Sequence, residues 1–170
     1  MAEIARISSG APWEPIFGYT RAVKAAGWLA VSGTTSFDEN GRIVGRNQMY
    51  VQARQAIANI ATVLEQAGMS LADVVRTRVF VTDMERFAEV ARAHLEAFGA
   101  NPPASTVVEI RRLVNLDMMI EIEAEAFRAP EVSGAVAKPK AVATSSTLAK
   151  KATAKKATAK TPRKPVRKRR

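Results

Sequence analysis

The stretch "QARQAIANIATVLEQAGMSLADVVRTRVFVTDM" (52–84) changes its hydrophobic period half-way along, and that change decides the fold. Between Gln48 and Ala67, the residues Ala53, Ile57, Ile60, Ala61 and Leu64 recur at the spacing of one helix face. Gln52, Arg54, Gln55 and Glu65 are assigned to the other faces. Gly68 is a natural stop, because glycine accepts the left-handed conformation that closes a helix. Ser70 with Asp73 three residues later reads as a capping box for a short turn. From residue 73 to 83 the period becomes two. Val75, Thr77, Val79 and Val81 alternate with Arg76, Arg78 and Phe80, which is a strand with one buried side.

Upstream, "YTRAVK" and "GWLAVSGTTSF" read as paired strands separated by Ala25, Ala26 and Gly27. "DENGR" follows, with Asn40–Gly41 at a tight turn, and "RIVG" is the expected returning strand. Downstream, a second helix is expected over 84–98, with Phe87, Val90, Ala91, Leu95 and Phe98 on one side and Gly99 at its end. His94 falls at the margin of that stripe and reads as a packing residue. After "GANPP", strands are expected at 105–113 and 118–127. The second places Ile120, Ile122, Ala124 and Ala126 opposite Glu121, Glu123 and Glu125. The order β-hairpin, α, β, α, β, β predicts an α+β sandwich, a mixed sheet with two helices on one face. The other sheet face then needs a cover, and oligomerisation is the usual one.

The charge is distributed unevenly. The 170 residues carry 26 Lys and Arg against 16 Asp and Glu, a net of +10. Residues 131–170 alone hold 13 of the basic groups and one acid, so the preceding 130 residues have a net charge of −2. Two segments follow: a folded domain over 1–129 and a tail over 130–170. The tail has no aromatic residue and few aliphatics, which predicts disorder, and "KKATA" occurs in it twice in succession.

The absence of cysteine excludes disulfides, thiolate metal sites and a Cys nucleophile, and one histidine argues against His-based zinc. No metal or cofactor is expected. The start "MAEIARISSGAPWEP" has no basic segment leading into an apolar run, and no stretch nears the roughly 20 apolar residues of a membrane span. A cytoplasmic protein with no membrane partner is the expectation. No phosphate-binding glycine loop, G-x-S-x-G or H-E-x-x-H motif is present.

Five stretches occur together in order: "GYTRAV" (18–23), "VSGTT" (31–35), the 52–84 block, "PPASTVVEI" (102–110) and "IEIEAEA" (120–126). They resemble the RidA/YjgF family of enamine/imine deaminases, also labelled endoribonuclease L-PSP, over residues 4–127. The resemblance implies a chorismate-mutase-like fold assembled as a homotrimer, with sheets lining a barrel and small-molecule clefts between subunits. It implies Glu121 as the catalytic carboxylate that positions the hydrolytic water. It also implies Tyr19, Ser32 and Gly33 as residues shaping the substrate site. The arginine with which active members bind a 2-imino acid carboxylate is missing. "PPAST" puts Ser105 there, a neutral hydroxyl in place of a charged bidentate fork, so 2-imino acid turnover is expected to be slow. Arg111 and Arg112 are the candidate replacements; as neighbours on a strand they would face opposite ways, so at most one could serve. No base is evident beside Ser105 in the sequence, which reads against a nucleophilic role. No base–nucleophile pair for RNA cleavage is evident either.

The tail answers to different physics. Lys150, Lys151, Lys155, Lys156, Lys160, Arg163, Lys164, Arg167, Lys168, Arg169 and Arg170 are eleven cations with no acid among them. The tail resembles those of linker histones and some bacterial histone-like proteins, which hold DNA or RNA phosphates through counterion release without reading bases. "PRKPVRKRR" also fits nuclear localisation if the source is eukaryotic, and nucleoid association if it is bacterial. Two functional readings stay open: an imine/enamine hydrolase, and a non-catalytic ligand-binding or nucleic-acid-associated scaffold.

Overall fold

The computed structural model describes residues 3–129. Six strands and three α-helices follow in order among them: β1 (Ile4–Ile7), α1 (Trp13–Phe17), β2 (Ala22–Ala25), β3 (Trp28–Thr34), α2 (Met49–Gln66), β4 (Val74–Val81), α3 (Phe87–Phe98), β5 (Ala104–Glu109) and β6 (Ile120–Phe127). The strands form one sheet in the order β1-β2-β3-β6-β4-β5. Only β4 and β5 pair in parallel, joined through α3, so the sheet is mixed as expected. Strand β6 enters last and slots between β3 and β4, antiparallel to both.

Helices α2 and α3 cover one face. Ile60 and Leu64 of α2 and Val90 and Phe98 of α3 meet Leu29, Val79, Ile120 and Ile122 of the sheet in one core. The C-terminus of α2 closes as expected: Gly68 is left-handed (φ +73°), and Met69 N donates to Leu64 O. The Ser70–Asp73 capping box is also present.

The β2–β3 turn is tighter than the sequence reading. Ala25 pairs with Trp28, leaving Ala26 (φ 47°) and Gly27 (φ 88°) as a two-residue connection of the kind whose twist suits a hairpin. "RIVG" does not return as a strand; a single bridge, Phe37–Ile43, stands in its place. The Asp38 carboxylate accepts from the Asn40 and Arg42 amides, and left-handed Gly45 and Asn47 then turn the chain into α2 before pairing can spread. Strand β1 and the short α1 had no clear sequence signal.

Four expectations fail at the level of side-chain direction or element length. Gln52 is fully buried rather than surface-facing. A register shift between Val74 and Arg76 puts Val74 in the core and leaves Val75 40% exposed. On α3, which begins at Phe87 after a 3-10 turn, the buried stripe runs through Val90, Ala93 and Phe98, while Phe87 and Leu95 face outward. Strand β5 ends at Glu109, so Arg111 and Arg112 lie exposed in the following loop, where strand alternation says nothing about them. The expected faces of β6 are observed: Ile120, Ile122, Ala124 and Ala126 are buried and the three glutamates look the other way.

Among the described residues no helix is long and apolar enough to cross a membrane. The tail and its eleven cations lie outside the described residues.

Candidate functional site

The β2–β3 hairpin carries Tyr19 and Arg21 just ahead of β2, and Ser32 and Gly33 near the end of β3. Val31 pairs with Ala124, but it is Thr34 that pairs with Ile122, one residue more than regular pairing allows. Val31 and Thr34 both turn into the core, and Ser32 and Gly33 form the bulge between them.

Arg21 holds that bulge. Its Nη1 donates to Gly33 O at 2.7 Å and to Thr34 Oγ1 at 3.2 Å, and its Nη2 donates to the Tyr19 hydroxyl at 3.1 Å. The guanidinium carbon also sits 5.6 Å from the Tyr19 ring centroid. Ser32 Oγ donates to Thr20 O at 2.8 Å. Tyr19, Ser32, Arg6 and Val23 line an open cleft of about 400 Å³.

Glu121 comes to this group from β6. Its carboxylate lies so close to Gly33 that a β-carbon there would collide with it. Burial pushes the Glu121 carboxyl above the ordinary glutamate value, Glu123 on the same face adds to the effect, and Arg21 opposes it. The other two glutamates are engaged by Arg78, at 3.3 Å to Glu123 and 2.8 Å to Glu125. Glu121 is therefore the member of the row that combines partial burial, a nearby arginine and an abutting glycine.

Ser105 stands elsewhere. It pairs with Thr77 across the parallel β4–β5 ladder, and both side chains point to the helix side of the sheet. Glu121 pairs with Phe80 and points to the open side. One chain thus brings Tyr19, Ser32, Gly33 and Glu121 together and leaves Ser105 apart. Thr77 Oγ1 donates to Ser105 Oγ at 2.9 Å, and His94 Nε2 is 3.1 Å from the same Thr77 oxygen. A base does stand near Ser105, through one intervening hydroxyl, which the sequence did not reveal. Burial lowers the His94 pKa, favouring the neutral ring. Among the described residues, no group of three or more His, Asp or Glu side chains could hold a metal ion.

The profile described as endoribonuclease L-PSP matches residues 9–128. The chain belongs to that family, the RidA/YjgF family. Among its relatives, a RutC family protein of Pyrococcus horikoshii is 37% identical over 115 residues, covering 68% of this chain and 90% of the relative. The protein named 2-iminobutanoate/2-iminopropanoate deaminase in Salmonella typhimurium is 38% identical over 114 residues, covering 65% of this chain and 87% of its own. A crystal structure of a YjgF family member from Mycobacterium tuberculosis superposes with a TM-score of 0.68 at 39% identity, over 74% of this chain and all of that one. The RidA-type fold is thereby shown for the described residues.

Sequence reasoning missed Arg21 and Thr77. Arg21 was legible as the cation two residues after Tyr19 in "GYTRAV", with a hairpin to bring the next strand's carbonyls within reach. Thr77 was legible as the one hydroxyl in a row of valines, since a buried hydroxyl needs a partner.

Proposed function

We propose that this RidA/YjgF family member is an imine/enamine hydrolase of the cytoplasm that works as a homotrimer, with each small-molecule cleft completed by a neighbouring subunit. Water adds to the C=N carbon of the substrate, and the nitrogen leaves as ammonia once the tetrahedral adduct collapses to a carbonyl compound. Glu121 takes the proton from the water and returns it to the departing nitrogen. A carboxyl whose pKa burial raises is a stronger base than an ordinary glutamate and can hold the proton until the nitrogen takes it, which suits both halves of that exchange. Tyr19, Ser32 and Gly33 shape the cleft, and Arg21 fixes them. The observation carrying this reading is the packing of the Glu121 carboxylate on Gly33, beside a hydrogen-bonded arginine. The placement of Ser105 and Glu121 on opposite sheet faces fits a trimer, because the two could share a cleft only across subunits.

The name of the Salmonella relative supplies the test substrates. The wild-type protein should hydrolyse 2-iminopropanoate and 2-iminobutanoate slowly, because Ser105 offers no charge to their carboxylate. Glu121→Gln should abolish the residual rate and Ser105→Arg should raise it, with ammonia release as the readout. A rate unaffected by Glu121→Gln would move the acid–base role to another residue, and no ammonia release from either the wild type or Ser105→Arg would leave the scaffold reading, a protein that binds small molecules without turning them over.

A second reading is carried by the tail. Eleven cations without an acid in residues 149–170 make it a non-specific DNA- or RNA-binding segment. It is consistent with nucleoid association or, in a eukaryotic source, a nuclear location.

A further inference from the structure

Thr77 occupies a fully buried position on β4 that its neighbours Val79 and Val81 would fill as valine, yet its hydroxyl has two partners. One hydroxyl hydrogen cannot serve both. With that hydrogen given to Ser105 Oγ, the Thr77 oxygen accepts from His94 Nε2–H, and this selects the tautomer of the ring. Ser105 Oγ then receives a hydrogen bond from the interior, which leaves its own hydrogen for a partner outside this pair, on the exposed edge strand β5. Aligned hydrogen bonds polarise one another, which makes the last hydroxyl a better donor than a lone serine.

We infer that Thr77 and His94 are positioning residues that present Ser105 as a hydrogen-bond donor to an uncharged carbonyl oxygen, so that the cleft takes neutral carboxamide or ester compounds in preference to free 2-imino acids. This rests on the proposed cleft and names its substrate class. A hydroxyl pairs with a carbonyl oxygen at no cost in charge, whereas a carboxylate docked on Ser105 would give up hydration there for a neutral hydroxyl. His94 adds no charge to attract one: burial favours its neutral form, and its ring lies 4.6 Å from that of Phe98.

The test is an NMR titration of the full-length protein with pyruvamide and with pyruvate, following amide signals around Ser105. Pyruvamide should bind more tightly. Thr77→Val keeps the shape and removes the relay, and should raise the pyruvamide Kd about fivefold, the worth of one neutral hydrogen bond, with pyruvate unchanged. Ser105→Ala should do the same, and Thr77→Ser should behave as wild type. The imidazole nitrogen shifts should report an Nε2-protonated ring in the wild type and a mixture in Thr77→Val. Tighter pyruvate binding, an unchanged preference in both Thr77→Val and Ser105→Ala, or an Nδ1-protonated wild-type ring would overturn the inference. Should Thr77→Val not fold, Ser105→Ala and the wild-type ring decide the matter. Because the readout is binding, an absence of imine hydrolysis would sink the proposed reaction and leave this inference standing.

Discussion

Gly33 is a glycine on account of its neighbour. Its backbone does not adopt a positive φ; what excludes a β-carbon is the Glu121 carboxylate. That obstacle is the end of a side chain that can swing away, so Gly33→Ala should move the carboxylate rather than break the sheet. The expected result is a loss of stability under about 1 kcal/mol in urea denaturation, together with a fall of at least about tenfold in imine hydrolysis. The Glu121 carboxyl makes a pH prediction. Its folded pKa lies above the ordinary 4.5, chiefly through burial, so its contribution to stability is complete below that value and is lost as pH rises through the raised pKa. Glu121→Gln should therefore match the wild type in acid and exceed it at neutral pH, a gap that thermal unfolding across a pH series would measure. His94 has the opposite sign. Burial lowers its pKa from 6.5, so its contribution is present above that value and is lost as pH falls through the lowered one.

Strand β6 is held at its entrance by a residue of another element. The Gln52 amide of α2 donates to Gly45 O at 3.1 Å and to Asp117 O at 2.7 Å, and accepts from Met119 N at 2.8 Å. Met119 is two residues from Glu121, so this one amide joins the helix, the approach loop and the strand bearing the proposed acid–base group. Gln52→Leu would leave one donor and two acceptors without that partner in a buried place. It should cost about 2–4 kcal/mol, read from the urea midpoint. At this scale the sequence was legible where a period ran unbroken: α2 ends where Gly68 says, and β6 alternates as its glutamates say. It was misleading where one extra residue or one amide overrides the period, as at the Val74–Arg76 shift and at Gln52.

The sheet face away from the helices has the makings of a subunit interface. Trp28 and Phe127 pack there as a tilted pair with centroids 5.1 Å apart while remaining 49% and 39% exposed, and Val108 is 40% exposed beyond the Arg78–glutamate ladder. Residues 1–130 alone should therefore be trimeric by light scattering, and a monomer would count against the proposed assembly. The same truncation tests the nucleic-acid binding proposed for the tail. With a net charge of −2 in residues 1–130, binding should disappear with the tail. If about 8 tail cations meet phosphates in the full-length protein, log K should fall against log salt with a slope of roughly −7, equally for any mixed duplex. Three tails on one trimer would raise avidity above that of a single tail. Tight binding retained by the truncation would move the site into the folded body.

Periodicity and punctuation are local properties, and they determined by themselves the two long helices, most of the strands, a sheet with helices on one face and the break in character near residue 130. The motif stretches added the family and with it Tyr19, Ser32, Gly33 and Glu121, four positions that the fold brings into one group. Other features depend on which chain segments meet. Arg21 matters because a bulge on β3 turns two carbonyls toward it, and the bulge exists because Val31 and Thr34 are both drawn into the core. Ser105 has a histidine within two hydrogen bonds because β5 runs parallel to β4 beneath α3. The hydrogen bonds of Arg21 to Gly33, of Gln52 to Asp117 and Met119 and of Thr77 to His94 and Ser105 join positions 12 to 67 residues apart, so no period announces them: the sequence offers the residue types, and the tertiary structure decides which groups they meet.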